Sequence, residues 1–270
     1  MADLDAHYSA QDIDARILSA LRAAGLDLDQ PLSPAALGAL DHFHTGGFRA
    51  SLVLRELSQI RAQDTVLDIG AGLAGPARML AAWPGCQVDC IDMSSDYCRA
   101  AELLNRLTGL ERQVRVHQGS ALAMPFFDAS FDVAWMQNVG MNIADKAGLY
   151  REIRRVLKPD GRLAFQEMVA GQGVASDFPL PWATSPADNL LVSSVEMHEL
   201  LTQSGFVVDY FEDVSDAALP APLPGTPEAE PQAPLSLSVY VDNLAQKAEN
   251  ATRCVREGKI RLFRGVFRAC

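Results

Sequence analysis

The chain has 270 residues, 49% of them apolar and 21% charged, enough for a sizeable core in one large domain or two small ones. Its formal net charge is -11 and it has no dense Lys/Arg run, which excludes a phosphate-neutralising nucleic-acid surface and an anionic membrane surface. Five scattered cysteines (Cys86, Cys90, Cys98, Cys254 and Cys270) without a repeated CxxC argue against a disulfide frame or a zinc site.

In chain order, the first 60 residues read as helices. Ser9 is placed to cap the first, whose apolar stripe is Ile13, Ile17, Leu18 and Leu21 and which ends at Gly25. Ser33-Pro34 opens a second helix, with proline at its first position, and a third runs from Gly47 to Ile60. From Asp64 the texture changes. Thr65–Ile69 is a short apolar run ending in glycines, so a buried parallel strand. A helix follows over Pro76–Trp83, a strand over Gln87–Ile91 and a helix over Ser94–Leu107. Strands are expected at Gln113–Val116, Phe131–Met136 and Arg162–Met168, with a helix over Asp145–Leu157 closed by the turn Lys158-Pro159-Asp160-Gly161. This alternation predicts an open, doubly wound α/β sheet. Gly171–Asp188 reads as a loop, Val195–Gln203 as a helix and Phe206–Phe211 as a strand. Ala217–Pro234 holds six prolines in 18 residues and reads as a connection. A helix over Val239–Arg256 and a strand over Lys259–Phe267 end the series.

The residues Asp68-Ile69-Gly70-Ala71-Gly72-Leu73-Ala74-Gly75 lie between the first strand and its helix in GxGxxG spacing. That spacing also marks nicotinamide and flavin sites. Glycines let a ligand approach the backbone, and a helix N-terminus offers N–H groups to an anion. Asp68 immediately before the loop would repel a pyrophosphate but could accept from a ligand ammonium. Asp92, about twenty residues beyond the loop, stands where an acid holds ribose hydroxyls.

Five stretches in register resemble the motifs of class I methyltransferases. They are Val66–Gly72, Cys90–Ser94, Gln118–Phe126, Phe131–Met136 and Leu149–Gly161. The branch is similar to the sarcosine and dimethylglycine N-methyltransferases and to the methyltransferase of ubiquinone synthesis. Asp41–Gly47, Asn138–Ile143 and Phe178–Ala183 carry the likeness to the first of these.

The resemblance implies a Rossmann-like, mostly parallel seven-stranded sheet with an antiparallel last strand, under an N-terminal helical lid. Residues 1–60 would form the cap, 61–170 the cofactor-binding core, and 171–270 the insertion and the strands that complete the sheet. The implied cofactor is S-adenosylmethionine. Gly70, Ala71, Gly72 and Gly75 would approach it, Asp68 accept from its ammonium, Asp92 hold its ribose, and Met93 pack on its adenine. Ser120, Ala121 and Leu122 would flank the adenine edge, with Ser120 where many relatives have Asp. Gln137 would lie near the methionine end, and Tyr8 on a closing N-terminal segment would reach the methionine carboxylate.

Methyl transfer from a sulfonium is an in-line displacement, so the protein's main task is alignment. An amine nucleophile needs little more, and N-methylation is favoured, with C-, O- and S-methylation open. Carbon or hydroxyl acceptors need a base. His44, Asn138 and Glu167 are the candidates for chemistry. His42, Met141, Asn142 and Trp182 are the candidates for contact with the acceptor, and no metal ligand set is expected. Met124 and Met136 read as core. The expected partner is a small-molecule methyl acceptor, with neither nucleic acid nor membrane, in a cytoplasmic setting. A nicotinamide-dependent oxidoreductase and a non-catalytic binding module of the same fold stay open as alternatives.

Overall fold

A computed structural model describes residues 12–173, 177–219 and 234–270. Tyr8 and Ser9 lie outside the described residues. Seven strands form one sheet: β1 (Thr65–Ile69), β2 (Gln87–Asp92), β3 (Val114–Gln118), β4 (Phe131–Gln137), β5 (Leu157–Ala170), β6 (Phe206–Asp213) and β7 (Ile260–Ala269). Their order is β3-β2-β1-β4-β5-β7-β6. The five strands from β3 to β5 run parallel, and β7 pairs antiparallel with both β5 and β6. The order reverses between β1 and β4, and a crevice opens there at the carboxyl ends of the strands.

The helices are α1 (Ile13–Ala23), α2 (Pro34–Asp41), α3 (Gly47–Ser58), α4 (Gly75–Ala82), α5 (Ser95–Leu107), α6 (Lys146–Val156), α7 (Ser194–Gln203) and α8 (Leu244–Arg256), besides single turns. Side chains alternate across the pleat of β1. Leu67 and Ile69 enter a core with α6 and α7 through Leu149, Ile153, Met197 and Leu201. Val66 faces the opposite side, where Leu54 of α3 and Ala77 and Leu80 of α4 cover the sheet. Helices α1 and α2 pack against α5 through Ile13, Ile17, Leu21, Leu37, Ala100 and Leu104. Ser33 caps α2 as expected, accepting from the Ala36 N–H at 3.2 Å.

Several boundaries differ from the sequence reading. The first helix starts at Ile13, after Asp12 in a left-handed conformation. The third ends at Ser58, because Gln59 turns left-handed. Strand β3 extends to Gln118, where pairing with Asp92 continues. Strand β5 takes in the expected turn at 158–161, since Leu157 already pairs with Phe131 across a register shift. The last helix begins at Leu244, as a 3-10 turn over Leu237–Val239 precedes it.

Candidate functional site

A cavity of about 1630 Å³ lies over the carboxyl ends of β1, β2 and β4. Most residues expected at a site line it: His44, Asp68, Gly70, Ala71, Gly72, Asp92, Met93, Ser120, Ala121, Leu122, Gln137, Asn138, Met141, Asn142 and Trp182.

Four amides of the loop after β1 are already engaged. Gly70 N–H and Ala71 N–H donate to Ile91 O at 2.8 and 3.2 Å, and Ala74 N–H donates to Ala71 O at 2.7 Å. Gly72 N–H donates to Asp92 Oδ2 at 2.8 Å. An anion would find these four donors already engaged. What this loop presents instead is Asp68, 2% exposed, with Oδ2 buried and without a hydrogen-bond partner. Burial and the neighbouring Asp92 push the Asp68 carboxyl up to about 8. Asp92 Oδ1 accepts from Ser94 N–H at 2.9 Å, and burial raises its pKa as well. Met93 and Leu122 are large apolar side chains left 45% and 42% exposed, open surfaces at which a flat ring could pack.

The two loop glycines have separate tasks. At Gly72, with φ +53°, an added Cβ would meet nothing within 4 Å. At Gly70, with φ +64°, a Cβ would sit 2.5 Å from Val139 Cγ2, so Gly70 lets the loops after β1 and β4 touch.

A hydrogen-bonded chain closes the methionine-end wall expected at Gln137. Ser51 Oγ and Trp135 Nε1 each donate to Gln137 Oε1 at 3.0 Å. Having spent its proton, Ser51 Oγ accepts from His44 Nε2 at 3.0 Å. That leaves His44 Nδ1 as an acceptor. Burial and the neighbouring His42 lower the His44 pKa to about 3, so the ring stays neutral and is a weak base. Asn138 is left-handed, with φ 56°, and its buried Oδ1 has no hydrogen-bond partner.

Three expected residues do not line the cavity, and each has a physical reason. Glu167 is buried, and its oxygens accept from Val139 N–H and Gly140 N–H at 2.8 and 2.9 Å. It orders the loop after β4, and burial pushes its pKa up to about 7. His42 is turned inward, its Nδ1 2.7 Å from Asp41 Oδ1 and its ring against Phe48. Gly75 packs on α2, where a Cβ would sit 2.2 Å from Asp41 O.

Sequence reasoning missed the strut behind the loop. Arg78 of α4 is fully buried and donates to Asp41 Oδ2 and Asn105 Oδ1, each at 2.8 Å, and to Leu73 O. It ties the glycine loop to α2 and α5. An arginine in the otherwise apolar run Pro76-Ala77-Arg78-Met79-Leu80 was the available signal. Also missed was the wall from α8, through Leu244, Ala248, Ala251, Thr252 and Val255. Among the described residues, no group of three or more His, Cys, Asp or Glu could hold a metal ion, and no helix is long and apolar enough to cross a membrane.

Comparison with known proteins finds a likeness for the central part of the chain. Residues 67–165 match the family model of a methyltransferase domain. The glycine/sarcosine/dimethylglycine N-methyltransferase of Actinopolyspora halophila is 32% identical over 157 residues, 58% of this chain and 28% of the relative. The chain thus spans under a third of that relative's length. Among solved structures, the geranyl diphosphate C-methyltransferase of Streptomyces coelicolor, in complex with geranyl diphosphate and S-adenosyl-L-homocysteine, superposes with a TM-score of 0.66 at 18% identity, covering 89% of this chain and 88% of that one. The cyclase SpnF superposes with a TM-score of 0.64 at 21% identity, covering 95% and 96%. At these identities the structures share the fold, and the cyclase shows that the fold does not dictate one chemistry. Residues 67–165 of this chain match a methyltransferase domain, and the sheet has the fold of the methyltransferase structure.

Proposed function

We propose that the protein transfers a methyl group from S-adenosylmethionine to a small-molecule acceptor, in a cytoplasmic setting. The observation that carries this reading is the buried, unpartnered Asp68 Oδ2 in the cavity, beside loop amides that are already engaged. A pyrophosphate would find four loop donors already occupied, which disfavours a nicotinamide dinucleotide. An amino-acid ammonium would supply the partner that Asp68 Oδ2 lacks.

When bound, S-adenosylmethionine supplies a methyl group activated by a positive sulfur. Asp68 holds the ammonium end, Asp92 accepts from the ribose hydroxyls, and Met93 and Leu122 cover the adenine, with Ser120 and Ala121 at its edge. Gln137 and Asn138 border the methionine end. Residues 1–60 serve as the cap, 61–170 as the core that holds the cofactor, and 171–270 as the part that completes the sheet and closes the acceptor side. His44 with a pKa of about 3 and Glu167 bound to backbone leave neither candidate base competent. This favours an acceptor that needs no deprotonation of a hydroxyl, and N-methylation above all.

Calorimetric titration with S-adenosylhomocysteine and with NADH tests the reading. Saturable binding of the first and none of the second is expected, and the reverse would overturn it. Asp92→Ala should weaken S-adenosylhomocysteine binding by about 1.5–3 kcal/mol, the scale of charge-assisted hydrogen bonds. The same titration on the folded variant checks this, and unchanged affinity would remove Asp92 from the ribose site.

A further inference from the structure

The cavity is larger than one cofactor needs. At about 1630 Å³ it exceeds the roughly 300–1,000 Å³ that is usual for a single bound small molecule. The cofactor reading fills the end at β1 and β2. The other end is walled by Met141, Met168, Trp182, Leu190, Ala248 and Val255. Met141, Met168, Trp182 and Val255 belong to one apolar cluster, distinct from those under the glycine loop.

The charge of the lining is one-sided. Asp145 and Asp188 border the cavity besides Asp92, while Asp41 is paired with Arg78 and the Asp68 carboxyl is raised to about 8, and no Lys or Arg lines it among the described residues. Cations adjoin it in the chain or through hydrogen bonds: Arg78 is held by Asp41, Asn105 and Leu73 O, Arg253 pairs with Asp177 and Glu249, Arg256 follows Val255, and the half-buried Lys247 precedes Ala248 on α8. Lys146 Nζ donates to Leu190 O at 2.7 Å and to Ile143 O. Arg264 donates to Gln166 Oε1 at 2.7 Å. The segments outside the described residues, 1–11, 174–176 and 220–233, contain no Lys or Arg at all.

We infer that the acceptor is a bulky, largely apolar molecule without a carboxylate or phosphate group. This rests on the methyl-transfer reading and names its substrate class. A carboxylate placed in this wall would be desolvated near Asp145 and Asp188, with no Lys or Arg among the described lining residues to pair with it. An amino-acid acceptor is poorly served for the same reason. Its amine must lose a proton to attack, and the molecule then carries a net negative charge. The cofactor's own carboxylate is offset by the positive sulfur that the cofactor carries beside its ammonium. A neutral apolar acceptor faces neither cost and gains from the apolar wall.

Three probes of one shape separate the possibilities: farnesol, farnesylamine and farnesoate. Each is titrated against protein saturated with S-adenosylhomocysteine, by displacement of the neutral dye Nile red. Farnesol and farnesylamine should displace it at concentrations at least about tenfold lower than farnesoate, and sarcosine should not displace it. Ala248 is exposed on α8, so a larger side chain there does not enter a packed core. Ala248→Trp should weaken all three probes. Ala248→Arg should shift the preference toward farnesoate. Farnesoate binding as tightly as farnesol, or sarcosine displacing the dye, would overturn the inference. Failure to bind S-adenosylhomocysteine in the prior titration would instead contradict the cofactor reading itself.

Discussion

Gly70→Val is expected to weaken S-adenosylhomocysteine binding more than about hundredfold, a loss above about 2.7 kcal/mol. The cause is not the ligand space that sequence alone suggests. At φ +64° a side chain is strained in any case, at about 1–2 kcal/mol. The new Cβ would also lie 2.5 and 2.8 Å from the two methyl groups of Val139. The loops after β1 and β4 would have to separate, displacing Asp68 from one side of the cavity and Asn138 from the other. Circular dichroism separates a lost fold from a lost site. A folded variant that binds as the parent does would show that the two loops need not touch.

The second large effect falls on stability. Arg78→Met should cost about 3–5 kcal/mol, because it leaves the carboxylate of Asp41 buried without its cation. For a chain of this size that is a fall in melting temperature of roughly 6–20 °C. Asn105 Oδ1 and Leu73 O lose a donor in the same step. Arg78→Met with Asp41→Leu should recover much of the loss, since replacing both partners removes the uncompensated charge. A melting temperature for the single variant within about 2 °C of the parent would mean that the pair does not hold the loop to α2.

How much of this the sequence discloses follows from how local each feature is. Asp68, Gly72 and Asp92 are legible because strand, loop and helix follow one another directly, and the chemistry sits where each strand stops. The antiparallel β7 was implied by the family resemblance, and the structure has it between β5 and β6. Glu167 lies outside the cavity lining, although a strand-end acid looks available in sequence. Its pleat parity says otherwise: Phe165 and Val169, two residues either side, both enter the core. The pairs Asp41–Arg78 and Ser51–Gln137 join residues 37 and 86 positions apart, and no periodicity marks such contacts. The α8 wall comes from still further along the chain. Its small residues Ala248 and Ala251 read as an ordinary helix face until the fold brings them over the cavity.

The central claim is that Asp68 receives the cofactor's ammonium, and proton release on binding tests it most directly. In the free protein the Asp68 carboxyl titrates at about 8, so at pH 7 it is mostly protonated. An ammonium partner favours the carboxylate, lowers that pKa and expels the proton. Affinity should therefore climb as pH rises toward 8 and level off above it. Calorimetry of S-adenosylhomocysteine binding at pH 7, in buffers of different ionisation heat, counts the protons. The account predicts release of close to one proton by the parent. For Asp68→Asn it predicts none, with affinity at least about tenfold weaker. Binding without proton release, at an affinity that Asp68→Asn leaves unchanged, would contradict it.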